Sequence, residues 1–365
     1  MITEEQILNA LSNVIDPDFG KDIVTLHMVK DVKGGDNDVT FTVELTTPAC
    51  PLKEMIQNAS INAIHHFIGK EVKVNITMSS RVTSNRRDNK AQLPHVRNII
   101  AVASGKGGVG KSTVAANLAL ALSQDGAKVG LLDADIYGPS VPIMFGIQGE
   151  RPMMTKVNGK GMIVPMERFG IKLMSIGILV DEKQALVWRG PMATSALKQF
   201  ISEVLWDELD YLVLDLPPGT GDIHLTVVQT IPVTGAVIVT TPQQVALADA
   251  KKGIGMFKMS AIKVPVLGIV ENMAYFTPKE LPENRYYIFG REGGKRLADE
   301  YEVPFLGQIP LVQGICEGGD IGVPVMVSDD DITKAAFAAF AQNVARQISI
   351  RNANLEPTKV VEMVR

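Results

Sequence analysis

The sequence predicts an α/β chain: a doubly wound, mostly parallel sheet preceded by a small α+β domain. Three observations carry that expectation. From Val96 onward, short apolar runs alternate with amphipathic or Ala-rich stretches, the signature of strands joined by helical crossovers. One of these junctions, Ser104 to Thr113, is a glycine-rich run between a strand-like and a helix-like segment. Ahead of it, Ser84 to His95 is polar, basic and nearly devoid of apolar anchors, which reads as a linker.

The strand candidates of the large sheet are Ile99–Ala103, Lys128–Leu132, Ile171–Ile176, Tyr211–Leu214, Ala236–Val239 and Val266–Val270. Ile332 to Ile348 reads as a closing helix and the stretch to Arg365 as a frayed tail. In the N-terminal part, Thr3 followed by Gln6 is a capping-box signature. It opens a helix carrying Ile7, Leu8, Leu11 and Val14 at helical spacing, which Asp16-Pro17 is expected to end. Val39–Leu45 and Val72–Ile76 alternate as half-buried strands, with a helix expected from Pro51 to Phe67 between them. The resulting division is 1–83 for the small domain, 84–95 for the linker, 96–350 for the large domain and 351–365 for the tail.

A length of 365 residues favours two domains over one. A net charge of −4 provides no global basic field, so neither nucleic acid nor a membrane is expected as a partner. No apolar run is long enough to span a bilayer, and Met1 to Gln6 has neither the basic nor the apolar region of a signal peptide. Two cysteines, Cys50 and Cys316, cannot make a disulfide framework. The expected location is therefore cytoplasmic.

The glycine-rich run fits G-x-x-x-x-G-K-[ST] from Gly105 to Ser112. Its glycines let the backbone fold closely around an anion, with N–H groups and the helix N-terminus aimed at phosphate oxygens. Gly105, Lys106, Gly107, Gly108, Val109, Gly110, Lys111, Ser112 and Thr113 are thus the expected nucleotide contacts. Lys111 would reach the β/γ-phosphates and Ser112 would ligate Mg²⁺. Tyr211-Leu212-Val213-Leu214-Asp215 is a hydrophobic strand ending in a carboxylate suited to hold Mg²⁺ through water. Leu131 to Asp135 ends another strand with Asp133 and Asp135, which tolerate a polyphosphate only with a metal or water between.

Lys106, directly after the first glycine, completes K-G-G-x-G-K-[ST]. This resembles the deviant Walker A loop of the nitrogenase-iron-protein, MinD and ParA class. The resemblance implies that Lys106 acts across a homodimer on the partner's ATP. It also implies that Asp135 positions the attacking water, that Asp133 stands near the metal's outer shell, and that Asn272 contacts adenine. Asp135-Ile136-Tyr137-Gly138-Pro139-Ser140, Trp188-Arg189-Gly190-Pro191-Met192, Asp215 to Asp222, Thr241-Pro242-Gln243 and Glu271-Asn272-Met273 together resemble the Mrp/ApbC family of iron–sulfur cluster carrier ATPases. Asp16-Pro17 and Thr46-Thr47-Pro48-Ala49-Cys50-Pro51 resemble the PaaD/SufT-like assembly domain often fused to them. The implied activity is Mg²⁺-dependent ATP hydrolysis coupled to transfer of a [4Fe–4S] cluster to apo-proteins, with other assembly factors as partners.

Members of that family usually carry C-x-x-C shortly after E-N-M, whereas Ala274 to Tyr287 contains no cysteine. Carboxylates there are poor substitutes for soft thiolate ligands. Either a cluster is held elsewhere or none is held there. Cys50 is the remaining candidate ligand, because a cysteine at a helix N-terminus has its thiolate stabilised. Cys316 reads as structural, the five histidines (His27, His65, His66, His95 and His224) as structural or exposed, and the methionine-rich patches as core or adaptable interface. Two further functions stay open: an ATP-dependent scaffold without its own cluster, and a MinD/ParA-like positioning ATPase.

Overall fold

The computed structural model describes residues 1–86, 92–179, 190–278, 280–281 and 283–360. Part of the expected linker, Trp188 and Arg189, and the last five residues lie outside the described residues.

The N-terminal unit begins with α1 (Glu4–Leu11), and its capping box is present: the Gln6 amide donates to the Thr3 hydroxyl while the Gln6 side chain accepts from the Thr3 amide. The helix stops at Leu11, a turn before Asp16-Pro17. The reason is local: Ser12 and Asn13 side chains donate to the carbonyls of Asn9 and Ala10, replacing the next helical turn. Val14 is buried all the same.

β1 (Val29–Gly34) pairs antiparallel with β2 (Asp38–Leu45), which pairs parallel with β3 (Lys73–Ser80) across the crossover helix α2 (Lys53–Phe67). Val39, Phe41, Val43 and Leu45 alternate inward onto α1 and α2, as the period of two requires.

The large unit runs β4 (Val96–Ala103), α3 (Lys111–Gln124), β5 (Val129–Asp133), β6 (Met166–Arg168), β7 (Ile171–Ser175), α4 (Gly190–Glu203), β8 (Leu209–Asp215), α5 (Asp222–Thr230), β9 (Gly235–Thr240), α6 (Gln244–Lys258), β10 (Val266–Glu271), α7 (Gly293–Glu300), β11 (Phe305–Gln308), α8 (Gln313–Ile321) and α9 (Asp331–Asn354). Its eight-stranded sheet has the order β6-β7-β5-β8-β4-β9-β10-β11, parallel throughout except for β6. All six expected strands are present. The sequence reading missed the two edge strands, β6 and β11, which are too short to form a recognisable apolar run.

Two helices depart from ordinary amphipathic patterning. Val114 to Leu122 of α3 are all buried, with Asn117 the one polar side chain in the run, so this helix is enclosed, resting partly against α9. α9 is longer than expected, from an Asp330 cap to Asn354.

The two units have separate hydrophobic clusters, but the loop after β2 crosses between them: Ala49 is buried in the core of the large unit. The Thr47 and Tyr211 hydroxyls meet at 3.1 Å, and Arg346 of α9 pairs with Asp18.

Phe41, fully buried in β2, supplies a direct check. Phe41→Ala should lower the opening free energy of the β2 amides by about 3–5 kcal/mol, read by native-state hydrogen exchange.

Candidate functional site

β4 delivers the Ser104–Gly110 loop directly into the N-terminus of α3. Gly108 and Gly110 have φ of 81° and 77°, a region that L side chains rarely adopt. A Cβ on Gly105 would lie 2.1 Å from the Asp249 backbone carbon of α6. One on Gly110 would lie 2.2 Å from Asn272 Nδ2. The loop is therefore held from two sides: backbone excludes a side chain at Gly105, and at Gly110 the left-handed φ favours glycine.

Lys111, the first residue of α3, is buried, with 6% of its surface exposed. Its ammonium lies 2.5 Å from Asp215 Oδ1, 3.2 Å from Ser112 Oγ and 3.6 Å from Asp135 Oδ2. Asp215 and Asp133 are register partners at the carboxyl ends of β8 and β5, which sets two buried carboxylates side by side. Asp133 accepts from the Ser175 hydroxyl at 2.9 Å and the Asp135 amide at 3.1 Å. Burial raises the pKa of Asp133, and the neighbouring Asp215 charge raises it further. Asp135 is also raised by burial, with Lys111 opposing. Asp215 Oδ2 is buried and has no protein hydrogen-bond partner.

That orphaned oxygen is the observation against which a divalent cation can be tested. An unpaired buried carboxylate oxygen costs free energy unless water or a cation faces it. A Mg²⁺ held by one hydroxyl, phosphate oxygens and waters needs few protein ligands. Ser112, with Asp215 and Asp133 behind it, fits that donor set. Among the described residues, no cluster of three or more His, Cys, Asp or Glu side chains is placed to cage a metal.

Beyond the carboxylates, Pro217 to Asp222 leads into α5. Gly219 has φ of 91°, and its amide donates to the Ser104 carbonyl at 2.9 Å, tying this segment to the loop. A cavity of about 470 Å³ opens beside it, lined by Asp135, Tyr137, Gly190, Pro218, Asp222 and others. Lys106 forms no ion pair among the described residues and is half-exposed.

Asn272 is 5% exposed, and its amide donates to the Val109 carbonyl at 2.8 Å, so it braces the loop from behind. Glu271, fully buried beside it, accepts from Gly294 at the start of α7 and from Gln308.

Sequence reasoning did not single out Ser175 or Glu271. Both sit at carboxyl strand ends, where the register places Ser175 opposite Asp133. His224, read as structural, is buried in α5 with neither ring nitrogen hydrogen-bonded. Burial lowers its pKa to about 4, with the Gly221 backbone opposing and the Lys111 charge adding a smaller push in the same direction.

Cys50 does not join this group. Its loop meets the large unit at Tyr211, near the start of the strand that ends in Asp215. The helix-terminus argument for a stabilised thiolate needs correcting. α2 starts at Lys53, not at Pro51, and burial pushes the Cys50 thiol upward, with Asp16 and Asp18 adding to the shift. Cys316 is exposed on α8. In the cysteine-free segment, Arg285 stacks on Tyr275 at 4.5 Å and Arg291 on Tyr287 at 4.9 Å, and the two tyrosines meet edge-on.

With this geometry in hand, comparison with known proteins is specific. A family model described as NUBPL iron-transfer P-loop NTPase matches residues 95–348, and one described as iron-sulfur cluster assembly protein matches residues 4–76. An iron-sulfur cluster carrier protein of Synechocystis sp. is 46% identical over 352 residues, covering 96% of this chain and 99% of the relative. One from Escherichia coli K12 is 45% identical, covering 94% and 91%. Among solved structures, a nucleotide-binding protein of Archaeoglobus fulgidus in complex with ADP is 42% identical. It aligns with a TM-score of 0.55, covering 63% of this chain and 88% of that one.

His224 yields a pH prediction. Its folded pKa of about 4 lies below the unfolded value of 6.5, so the unfolded state binds the extra proton between these pH values. Its contribution to stability is present above pH 6.5 and is lost as pH falls to 4, by about 3 kcal/mol. Denaturant titrations of His224→Gln should show a correspondingly flatter acid limb.

Proposed function

This chain belongs to the NUBPL-type iron-transfer P-loop NTPase family, and from that premise we propose that it is an ATP-hydrolysing carrier that delivers iron–sulfur clusters to apo-proteins. The observation that carries the ATPase half is the Lys111 ammonium, held by Asp215 and Asp135 at the mouth of a glycine loop. The carrier half rests on full-length relatives that bear that name and on the N-terminal assembly-domain match.

In the proposed mechanism the amides of Gly105 to Thr113 receive the phosphates, and Lys111 exchanges its carboxylate partners for phosphate oxygens. Ser112 and Asp215 would hold Mg²⁺, with Asp133 in the outer shell. When bound, the metal neutralises charge developing on the transferred phosphoryl group. Asp135 orients the attacking water in the adjoining cavity. Asn272 keeps the loop in register and stands where adenine contact is proposed. Lys106, projecting from the loop start, reaches the nucleotide of a second copy, so the working form is a homodimer. The setting is the cytoplasm; among the described residues no helix is long and apolar enough to cross a membrane.

The cysteine-free stretch from Ala274 to Tyr287 favours a second reading, in which the ATPase recruits assembly partners without holding a cluster. Cys50 separates the two. Anaerobic reconstitution with iron and sulfide should give bound cluster in the wild type and little in Cys50→Ala. Equal cluster in both would remove Cys50 as ligand, and none in either would support the scaffold. Lys111→Ala should cut ATP turnover by about 10²-fold or more and abolish target activation with it. Activation that survives would overturn the ATP-driven mechanism.

A further inference from the structure

The N-terminal unit docks on the large unit through the loop that carries Cys50. Thr47 is buried and shares a hydrogen bond with the buried hydroxyl of Tyr211. A Cβ on Gly126, in the turn after α3, would lie 4.0 Å from Pro48, so the loop passes near that turn. Ala49 is enclosed in the large unit's core. Arg346 of α9 grips Asp18 through Nε and Nη2, a second tie between the units. Thr83, on the exit from β3, accepts at its carbonyl from Asn98 and Asn352, both at 3.0 Å.

The loop meets β8 directly and passes near the turn that follows α3, and these two elements bear the nucleotide groups. β8 carries Tyr211 at one end and Asp215 four residues on, about 13 Å along an extended strand. α3 starts with Lys111 and Ser112 and runs 14 residues, about 21 Å, to the turn at Gly126. Val114 to Leu122 of that helix are buried, so it is a stiff element within a close-packed core.

We propose that the docked N-terminal unit is a latch over the Cys50 loop, fastened by Asp18–Arg346 and Thr47–Tyr211, and that nucleotide at the phosphate loop sets its opening through β8 and α3. The inference rests on the nucleotide-site reading above and adds regulation to it. Exchange of Lys111 between Asp215 and phosphate changes the load on the near ends of both elements, and the latch sits at their far ends. Opening would free the loop that carries Cys50 from the large unit without unfolding either core, leaving the thiol packed only against its own unit.

The test uses the full chain in a Cys316→Ser background, at one pH. Hydrogen exchange of the Thr46–Leu52 amides and maleimide labelling of Cys50 are measured without nucleotide, with Mg-ADP and with a non-hydrolysable Mg-ATP analogue. Nucleotide binding is measured separately by calorimetry, so a failure to bind is distinguished from a failure to couple. Arg346→Ala and Tyr211→Phe lie outside the nucleotide machinery, and circular dichroism verifies their fold. Each should speed exchange and labelling by about tenfold, the equivalent of about 1.4 kcal/mol. Nucleotide should change the wild-type rates severalfold and leave Arg346→Ala unmoved. Rates unchanged in both variants, or wild-type rates indifferent to bound nucleotide, overturn the proposal.

Discussion

The placement of one ammonium among buried carboxylates organises this molecule. Lys111 contacts Asp215 and Asp135, and Asp133 lies beside Asp215 in the register of the sheet. Removing these charges from water is costly unless each is paired, hydrogen-bonded or neutralised. The surrounding structure supplies those terms. Parallel strands end together so that the carboxylates converge, Ser175 and the Asp135 amide satisfy Asp133, and burial favours its protonated form. The enclosed helix α3 holds Lys111 at a terminus whose free amides already favour anions. The arrangement suits a cation that can change partners, because its present acceptors keep one oxygen in reserve.

Much of this was legible in the residues, for identifiable reasons. The phosphate loop has a strict spacing because its amides must surround an anion. The strands read clearly because both faces are covered and their apolar runs are continuous. The capping box was visible because two side chains satisfy two backbone groups at fixed separation. The edge strands were not legible, since three or four residues with a covered inner neighbour leave no periodic signal. The early end of α1 depended on side-chain hydrogen bonds that no hydrophobic pattern records.

At the site, residues with motif status were found and their supports were not. Ser175 and Glu271 act through cross-strand register, which is a property of the folded sheet rather than of either segment. The bracing role of Asn272 depends on how closely Gly110 approaches it. Cys50 shows the opposite error. Its sequence neighbours suggested a helix terminus, but Cys50 packs against the apolar cluster of its own unit, and burial outweighed the dipole.

The aromatic stretch after Met273 has a consequence for oxidative chemistry. In place of the C-x-x-C expected after E-N-M, this chain stacks Arg285 on Tyr275 and Arg291 on Tyr287. That surface offers peroxide no thiolate to convert to sulfenic acid and no pair to close into a disulfide. Thiol oxidation is confined to exposed Cys316 and half-buried Cys50, both outside the phosphate loop. Thiol oxidation would therefore strike the docking loop at Cys50 and the surface of α8 at Cys316, and leave the phosphate loop, which has no thiol, unmodified.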